Sequence, residues 1–472
     1  MSKATRILGI TLLLLGIAVT SISAQGPAGS WVSGIQLVNL SQTDTAHVTV
    51  RFIWIDDGTS RAGTEAHSFN VDIAPKGSVP YYVPNDIPEL PTGFIGSAVV
   101  SSDVPVAANL NTELDLGTRK GTASGVSDPS DKLYFTQVMK DYWGFNSYVA
   151  VQNTTDTETS VTFRIYNTTG TQVLEEVQTI KPFASHIFYQ ASQALPGSPP
   201  AGFGGSAVVE STGAALAGIC NYYKDGSTVT KSQFKSYNAF AGGSQKLYVP
   251  RLLRLPFYGN YAGGLAIQNV GTSDTTVTVK YYFGGSEYQQ QKVLGPRQPW
   301  PIYLPDAPPL DGIRGSGAAI IESSSQPIVA TVNEDNDDIG YGVTYNGILD
   351  TGATTQCLLP QVVSKFWGNC GGLQIMNVGA GDANMTATFS MSGSPDVTLT
   401  DTIAPNGVWE LFAPDALESQ GASSLNWNGS VLVTSNTNIV GIGNMSYRFD
   451  KDPRFGRKDG DTGTCYNAIN VS

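Results

Sequence analysis

Charge is scarce in this 472-residue chain, where Asp, Glu, Lys and Arg together make up 14% against roughly 25% in ordinary soluble domains. Within that small total, 39 acidic residues face 27 basic ones. An acidic excess disfavours phosphate backbones, so nucleic acid and anionic lipid are poor candidates as partners. Histidine is almost missing: His47, His67 and His186 are the only three, and each sits in a strand-like stretch that suits a structural role. No HExxH, GxSxG elbow, Walker loop or Rossmann fingerprint occurs, and the sequence nominates no catalytic residue. Paired carboxylates from distant strands, as glycosidases use, are the one catalytic arrangement left open. The four cysteines, Cys220, Cys357, Cys370 and Cys465, have neither zinc-ribbon nor redox spacing. Long apolar runs and helical windows are absent after the first 24 residues.

Those 24 residues differ from the rest. Lys3 and Arg6 precede an apolar run from Ile7 to Val19, and small residues follow at Ser21, Ser23 and Ala24. A membrane helix needs about 20 apolar residues, so this shorter run is expected to be a signal peptide over 1–24, cut near Ala24. Removing Lys3 and Arg6 takes 27 bases to 25 against 39 acids, a mature net charge of −14. The expected location is secreted or extracellular, with cell-surface association and no membrane insertion after signal removal. Secretion permits disulfides. With opposite poles at the start and end of a unit, Cys370 is expected to pair with Cys465, while Cys220 and Cys357 read as small buried hydrophobes.

What the chain has in quantity is repetition. An Asn closes an apolar run at Asn111, Asn221, Asn333 and Asn444, a period of 110 to 112 residues. A second Asn ends the runs GIQLVN, VAVQN, LAIQN and LQIMN at Asn39, Asn153, Asn269 and Asn377. Alternating runs follow, such as HVTVRFIW from His47 to Trp54 and VTVKYYF from Val277 to Phe283, with the period of half-buried strands. An apolar-x-Pro element recurs at Pro75, Pro182, Pro296 and Pro405, and a second proline lies nine residues on at Pro84, Pro305 and Pro414, with Ala191 in the second unit. The run GFIGSAVV (Gly93 to Val100) returns as GFGGSAVV, GIRGSGAAII and WNGSVLV. A closing Tyr-Asn pair ends the last three units at Tyr237-Asn238, Tyr345-Asn346 and Tyr466-Asn467.

Seven or eight short strands in about 110 residues predict a β-sandwich per unit, each large enough for its own core. A propeller blade would take around 45 residues. The expected fold is all-β: four tandem Ig-like sandwiches in a semi-rigid rod, over 25–127, 128–243, 244–353 and 354–472. The opening strand, KLYFTQV in the second unit, has no match before Trp31, so the first unit is expected to lack its first and last strands and to present an open edge.

The QN, IAP, GFIGSAVV and VNE elements, over residues 29 to 470, resemble uncharacterised secreted bacterial proteins built of tandem Ig-like or fibronectin-like sandwich modules. The resemblance implies surface spacers, adhesins or ligand-binding units.

The recurring asparagines are expected to bond turn backbone, and the Gly-Ser pairs at Gly96, Gly205 and Gly429 to mark tight bends. Loops on a fixed scaffold are where binding concentrates. The candidates are Tyr222, Tyr223 and Lys224 in the second unit and Arg448, Arg454 and Arg457 in the fourth. Asp335, Asp337 and Asp338, and separately Asp450, Asp452, Asp459 and Asp461, form acidic clusters that would suit calcium or stand as solvated turns; calcium is the only cofactor considered. The expected function is a secreted, non-enzymatic cell-surface structural or interaction protein, which assembles into or decorates an extracellular layer or filament. The alternative is a carbohydrate-binding or adhesin-like array, marked by aromatics grouped on one exposed face of each unit. Partners would be other protein chains, cell-surface glycans or further copies in a homo-oligomer.

Overall fold

The structure is a computed structural model that describes residues 11–16, 31–114, 119–198, 201–226, 232–254, 260–338, 340–391, 393–447 and 463–470. It is built of strands paired antiparallel, as the alternating sequence predicts. The first repeat contains β1 (Thr11–Gly16), β2 (Trp31–Asn39), β3 (Ala46–Trp54), β4 (Glu65–Ile73), β5 (Ser78–Tyr82), β6 (Ile95–Ser102), β7 (Val106–Leu114) and β8 (Arg119–Ser124). Two sheets, ordered β1-β6-β3-β4 and β5-β2-β7-β8, close on Ile35, Leu37, Val48, Val50, Phe52, Phe94 and Leu110. The period-two pattern puts Val48, Val50 and Phe52 inside and leaves His47 in water. β8 supplies the last strand that the sequence reading denied this repeat: Ala123-Ser124 takes the place of Tyr-Asn.

The same plan recurs three times, with opening strands Lys132–Lys140, Lys246–Arg254 and Thr354–Ser364 and closing strands Gln233–Asn238, Tyr341–Asn346 and Gly463–Asn467. The connectivity is not the immunoglobulin one, in which strands A, B and E share a sheet and C, F and G share the other. Here the first strand lies beside the sixth, and the seventh beside the second. The corner after β6 explains the exchange, because it carries the chain from one sheet into the other beside β2. In the fourth repeat the two strands are one 21-residue strand, Trp427–Tyr447, that serves both sheets.

Recurrent motifs have local causes. Asn269, fully buried, donates from Nδ2 to the carbonyls of Ser273, Leu294 and Gly295 at 2.9, 3.0 and 3.0 Å, and its Oδ1 accepts from the Gly271 amide at 2.9 Å. Asn39, Asn153 and Asn377 do the same in their own repeats. One side chain thus ties the strand end to the apolar-x-Pro turn. Asn269→Ala is expected to cost about 2–4 kcal/mol, since buried carbonyls lose their donors; chemical denaturation monitored by tryptophan fluorescence checks this. The second prolines start helical turns at Val83–Asp86, Leu304–Asp306 and Ala413–Ser419, where a missing amide costs nothing. The Gly-Ser pairs are not bends. A Cβ on Gly96 would stand 1.9 Å from the Ile53 carbonyl, and one on Gly205 2.2 Å from that of Tyr166, so glycine is required by close approach of paired strands.

The repeats do not form a rod. The closing strand of each touches that of the next, β8 against Gln233–Asn238, then Tyr341–Asn346, then Gly463–Asn467, and this last returns to β8. The circuit is closed. The chain exposes 18400 Å², whereas the surface–mass relation gives about 17,000 Å² for one compact protein of this mass and about 25,000 Å² for four separate quarters. Rod-like reasoning failed because the short joints allow side-by-side packing as readily as end-to-end. Closing the ring also covers the inner sheet edges, which would otherwise invite foreign strands.

Candidate functional site

Each seam is built alike. An apolar patch on the outer sheet of one repeat packs against the inner sheet of the next: Ile53 and Val99 on Ala217, Tyr134 and Val208 on Val270 and Val329, Tyr248 and Ile320 on Met376 and Val440, and Leu358 on Val38 and Ala107. At the axis the closing asparagines bridge neighbours. Asn238 donates to the Ser124 carbonyl at 2.7 Å, Asn346 to Asn238 at 2.8 Å and Asn467 to Asn346 at 2.6 Å. The paired tyrosines point inward, and the hydroxyls of Tyr237, Tyr345 and Tyr466 donate to the carbonyls of Gln137, Arg251 and Gln361 on bulged opening strands.

The side chains at those bulges reach across the seams. Gln137 Oε1 accepts from Asn333 of the next repeat at 2.9 Å, and Gln361 Oε1 from Asn111 at 2.8 Å. The period-setting asparagines therefore lie mid-strand and some serve seams, not turns. The third position departs from this. Arg251 pairs with Glu334 at 3.0 Å, the carboxylate being 1% exposed. Burial disfavours the charge on Arg251, but Glu334 and nearby phenol and thiol groups outweigh it and hold the guanidinium more firmly protonated. Burial also raises the Glu334 carboxyl above its ordinary range, against the pull of Arg251. In place of a bridge to Asn444 there is an open cavity of about 330 Å³ between the third and fourth repeats, lined by Arg251, Tyr261, Tyr341, Gln374, Glu410, Asn444 and Ser446 among others.

One face of the ring carries a second feature. The hairpins after the second and fourth opening strands are two-residue turns, closed by reciprocal bonds between Tyr142 and Phe145 at 2.9 Å and between Phe366 and Asn369 at 3.1 and 2.9 Å. Both central residues have positive φ: Trp143 at 50° and Gly144 at 84°, Trp367 at 49° and Gly368 at 77°. Such turns favour Asn-Gly, and a bulky residue there is strained. Yet Trp143 and Trp367 are 61% and 68% exposed. Rotation about one axis keeps equivalent turns at one end, so both indoles stand on the same face. The sequence reading missed them; an aromatic-Gly pair between two apolar strands, as in YWGFN and FWGN, was the available signal.

The residues nominated from sequence fall elsewhere. Tyr222 is wholly buried and donates to the Gln137 carbonyl at 3.0 Å, Tyr223 is 7% exposed, and Lys224 pairs with Asp337 across a seam at 2.9 Å. These are strand residues, because the strand runs through the period-setting Asn to Lys224. Asp335 bonds Lys235, Asp337 also accepts from Gln233 at 2.9 Å, and Asp338 accepts from Asn260 at 2.5 Å. Two seam contacts and one within the third repeat thus divide that acidic cluster, and among the described residues no group of three His, Cys, Asp or Glu side chains could hold a metal. Arg448, Arg454, Arg457, Asp450, Asp452, Asp459 and Asp461 lie outside the described residues. Cys370 and Cys465 form no disulfide. They pair with Ser446 and Asn444 on opposite sides of the strand Trp427–Tyr447, two strand spacings of about 4.8 Å apart, beyond disulfide reach. Cys465 instead packs into the third repeat's core at the seam. Burial pushes the Cys357 thiol up to about 12 and raises that of Cys220 as well, so both are inert. His186, desolvated, has its pKa lowered and favours the neutral ring.

No protein-family model matches the chain, and no curated protein does either. Among solved structures, Thermotoga maritima 1070 is 17% identical with a TM-score of 0.20, over 23% of this chain and 96% of that one. A tetra-tandem repeat in the extending region of a large adhesion protein is 12% identical with a TM-score of 0.11, over 94% of this chain and 96% of that one. Among the described residues no helix is long and apolar enough to cross a membrane.

Proposed function

We propose that the protein is a secreted, non-enzymatic surface interaction protein, a closed head of four sandwiches that presents one face to an extracellular ligand. The observation that carries this reading is the pair Trp143 and Trp367, exposed on equivalent hairpins at a backbone conformation that costs about 1–3 kcal/mol each and that Asn or Gly would relieve. Strain kept at an exposed aromatic supports selection for contact rather than for folding. Flat aromatic faces with a polar rim suit amphipathic rings, which makes cell-surface glycans the ligand class and favours the binding role over layer-building. Two such tips on one head act together on a repeating ligand.

The test is a glycan array followed by surface binding on the leading hits. Trp143→Asn and Trp367→Asn should each raise folding stability by about 1 kcal/mol through relief of left-handed strain, yet lower apparent affinity by about tenfold or more through lost avidity. The double variant should not bind. Unchanged affinity in stable double variants would remove the tips from recognition.

A further inference from the structure

The first sandwich differs from the other three at one edge. In the second to fourth repeats a nine- to eleven-residue opening strand from within the repeat covers the strand equivalent to β6. In the first, the place is taken by β1, which pairs Thr11 with Val100 through Gly16 with Ile95. The two kinds of strand differ in shape. The opening strands carry a bulge whose carbonyl receives the closing tyrosine, whereas β1 pairs in unbroken register and the first repeat has Ala123 where the tyrosine would stand. The first repeat is therefore matched to an unbulged strand. That strand lies inside the segment read as a signal peptide, and among the described residues between Trp31 and Ser124 every strand already has its place in one of the two sheets.

We infer that, once the leader is removed, the β6 edge of the first repeat is a strand-accepting slot, filled in trans by an extended, leucine-rich apolar strand of another polypeptide. The chemistry of the occupant follows from what the slot holds here, TLLLLG, and from its floor. Ala98 and Val100 of β6 and Val50 and Phe52 of β3 all belong to the core beneath. An uncovered β6 would present a row of unpaired backbone groups over that apolar floor, the arrangement used in strand addition. The slot also faces the neighbouring repeat. Its counterparts elsewhere reach across, as Thr136 does to Thr331 at 2.7 Å, so an incoming strand would meet two repeats at once. The other inner edges are occupied by the ring closure itself.

The inference rests on removal of the leader, and the experiment separates that from the slot. N-terminal sequencing and intact mass of the secreted protein should place the start near Gln25; a start at or before Thr11 would mean that the slot is filled in cis, and would overturn the inference. Residues 25–472 are then incubated with a lysine-flanked peptide carrying TLLLLG and followed by hydrogen exchange. The expected result is exchange of the slot-facing amides of Ile95–Val100 slowed about tenfold or more by this peptide, and unchanged by a control with proline at the position of Leu13, which cannot complete the ladder. Full protection of those amides before peptide is added to the monomer, no gain in their protection after addition, or a gain elsewhere alone would each overturn it.

Discussion

Arg251→Ala is expected to destabilise the protein by about 3–5 kcal/mol, the cost of leaving a buried charge without its partner. The partner is Glu334, 1% exposed and held at 3.0 Å, with the buried Tyr341, Tyr345 and Cys465 around it. Among the described residues no other cation pairs with this carboxylate. The loss has a pH signature. Without Arg251, burial together with the Asp335 and Glu410 carboxylates acts on Glu334 against the Tyr341 hydroxyl alone, and lifts its folded pKa further above the unfolded value. A raised folded pKa means stability that is full below the unfolded value and lost as pH rises through the folded one. The variant should therefore be closest to wild type in mild acid and fall away towards neutrality, whereas Glu334→Gln in the same background should flatten the profile. Urea denaturation across that range reads both effects. An Arg251→Ala protein as stable as wild type at neutral pH would show that the pair is hydrated.

Removing the fourth repeat should do more damage than removing a terminal bead from a string. Residues 25–353 would lose two seams, exposing Tyr248, Ala318 and Ile320 on one side and Val38 and Ala107 on the other. The surface comparison gives about 1,600 Å² buried per seam, the size of a standard stable interface. The truncated protein is expected to unfold at least about 10 °C lower and to associate, since newly exposed apolar patches seek cover. Scattering on the intact mature protein makes the same distinction without mutation. A compact body of this length has a radius of gyration of about 23 Å, and four sandwiches in a row would give about 40 Å. A truncated protein that stays monomeric with unchanged melting would refute the ring.

The strands and their faces were legible because alternation is a local property: Val48, Val50 and Phe52 declare their side of β3 without reference to anything distant. The asparagines at Asn39, Asn153, Asn269 and Asn377 were legible as structural for a similar reason, since a side chain at a strand end has turn carbonyls within reach. The ring was not legible. Its contacts join residues more than a hundred positions apart, as Asn111 and Gln361 are, and no periodicity encodes which way a short joint turns. The loop candidates failed for a related reason: Tyr222 looks like loop chemistry only if the strand is assumed to stop at Asn221. The indoles were overlooked because two-residue turns favour small or polar residues before the glycine, and Trp-Gly breaks that rule.

Joining the four sandwiches in one chain has a genetic consequence. A ring assembled from four copies of a single gene product must repeat every substitution fourfold, so a charge introduced at one contact appears at all of them around a common axis. Here each contact is written separately and can drift alone: a glutamine at the second and fourth positions, an arginine with its own counterion at the third. The 330 Å³ cavity beside that arginine is what such freedom permits, one contact relieved of holding the assembly together while its neighbours continue to do so.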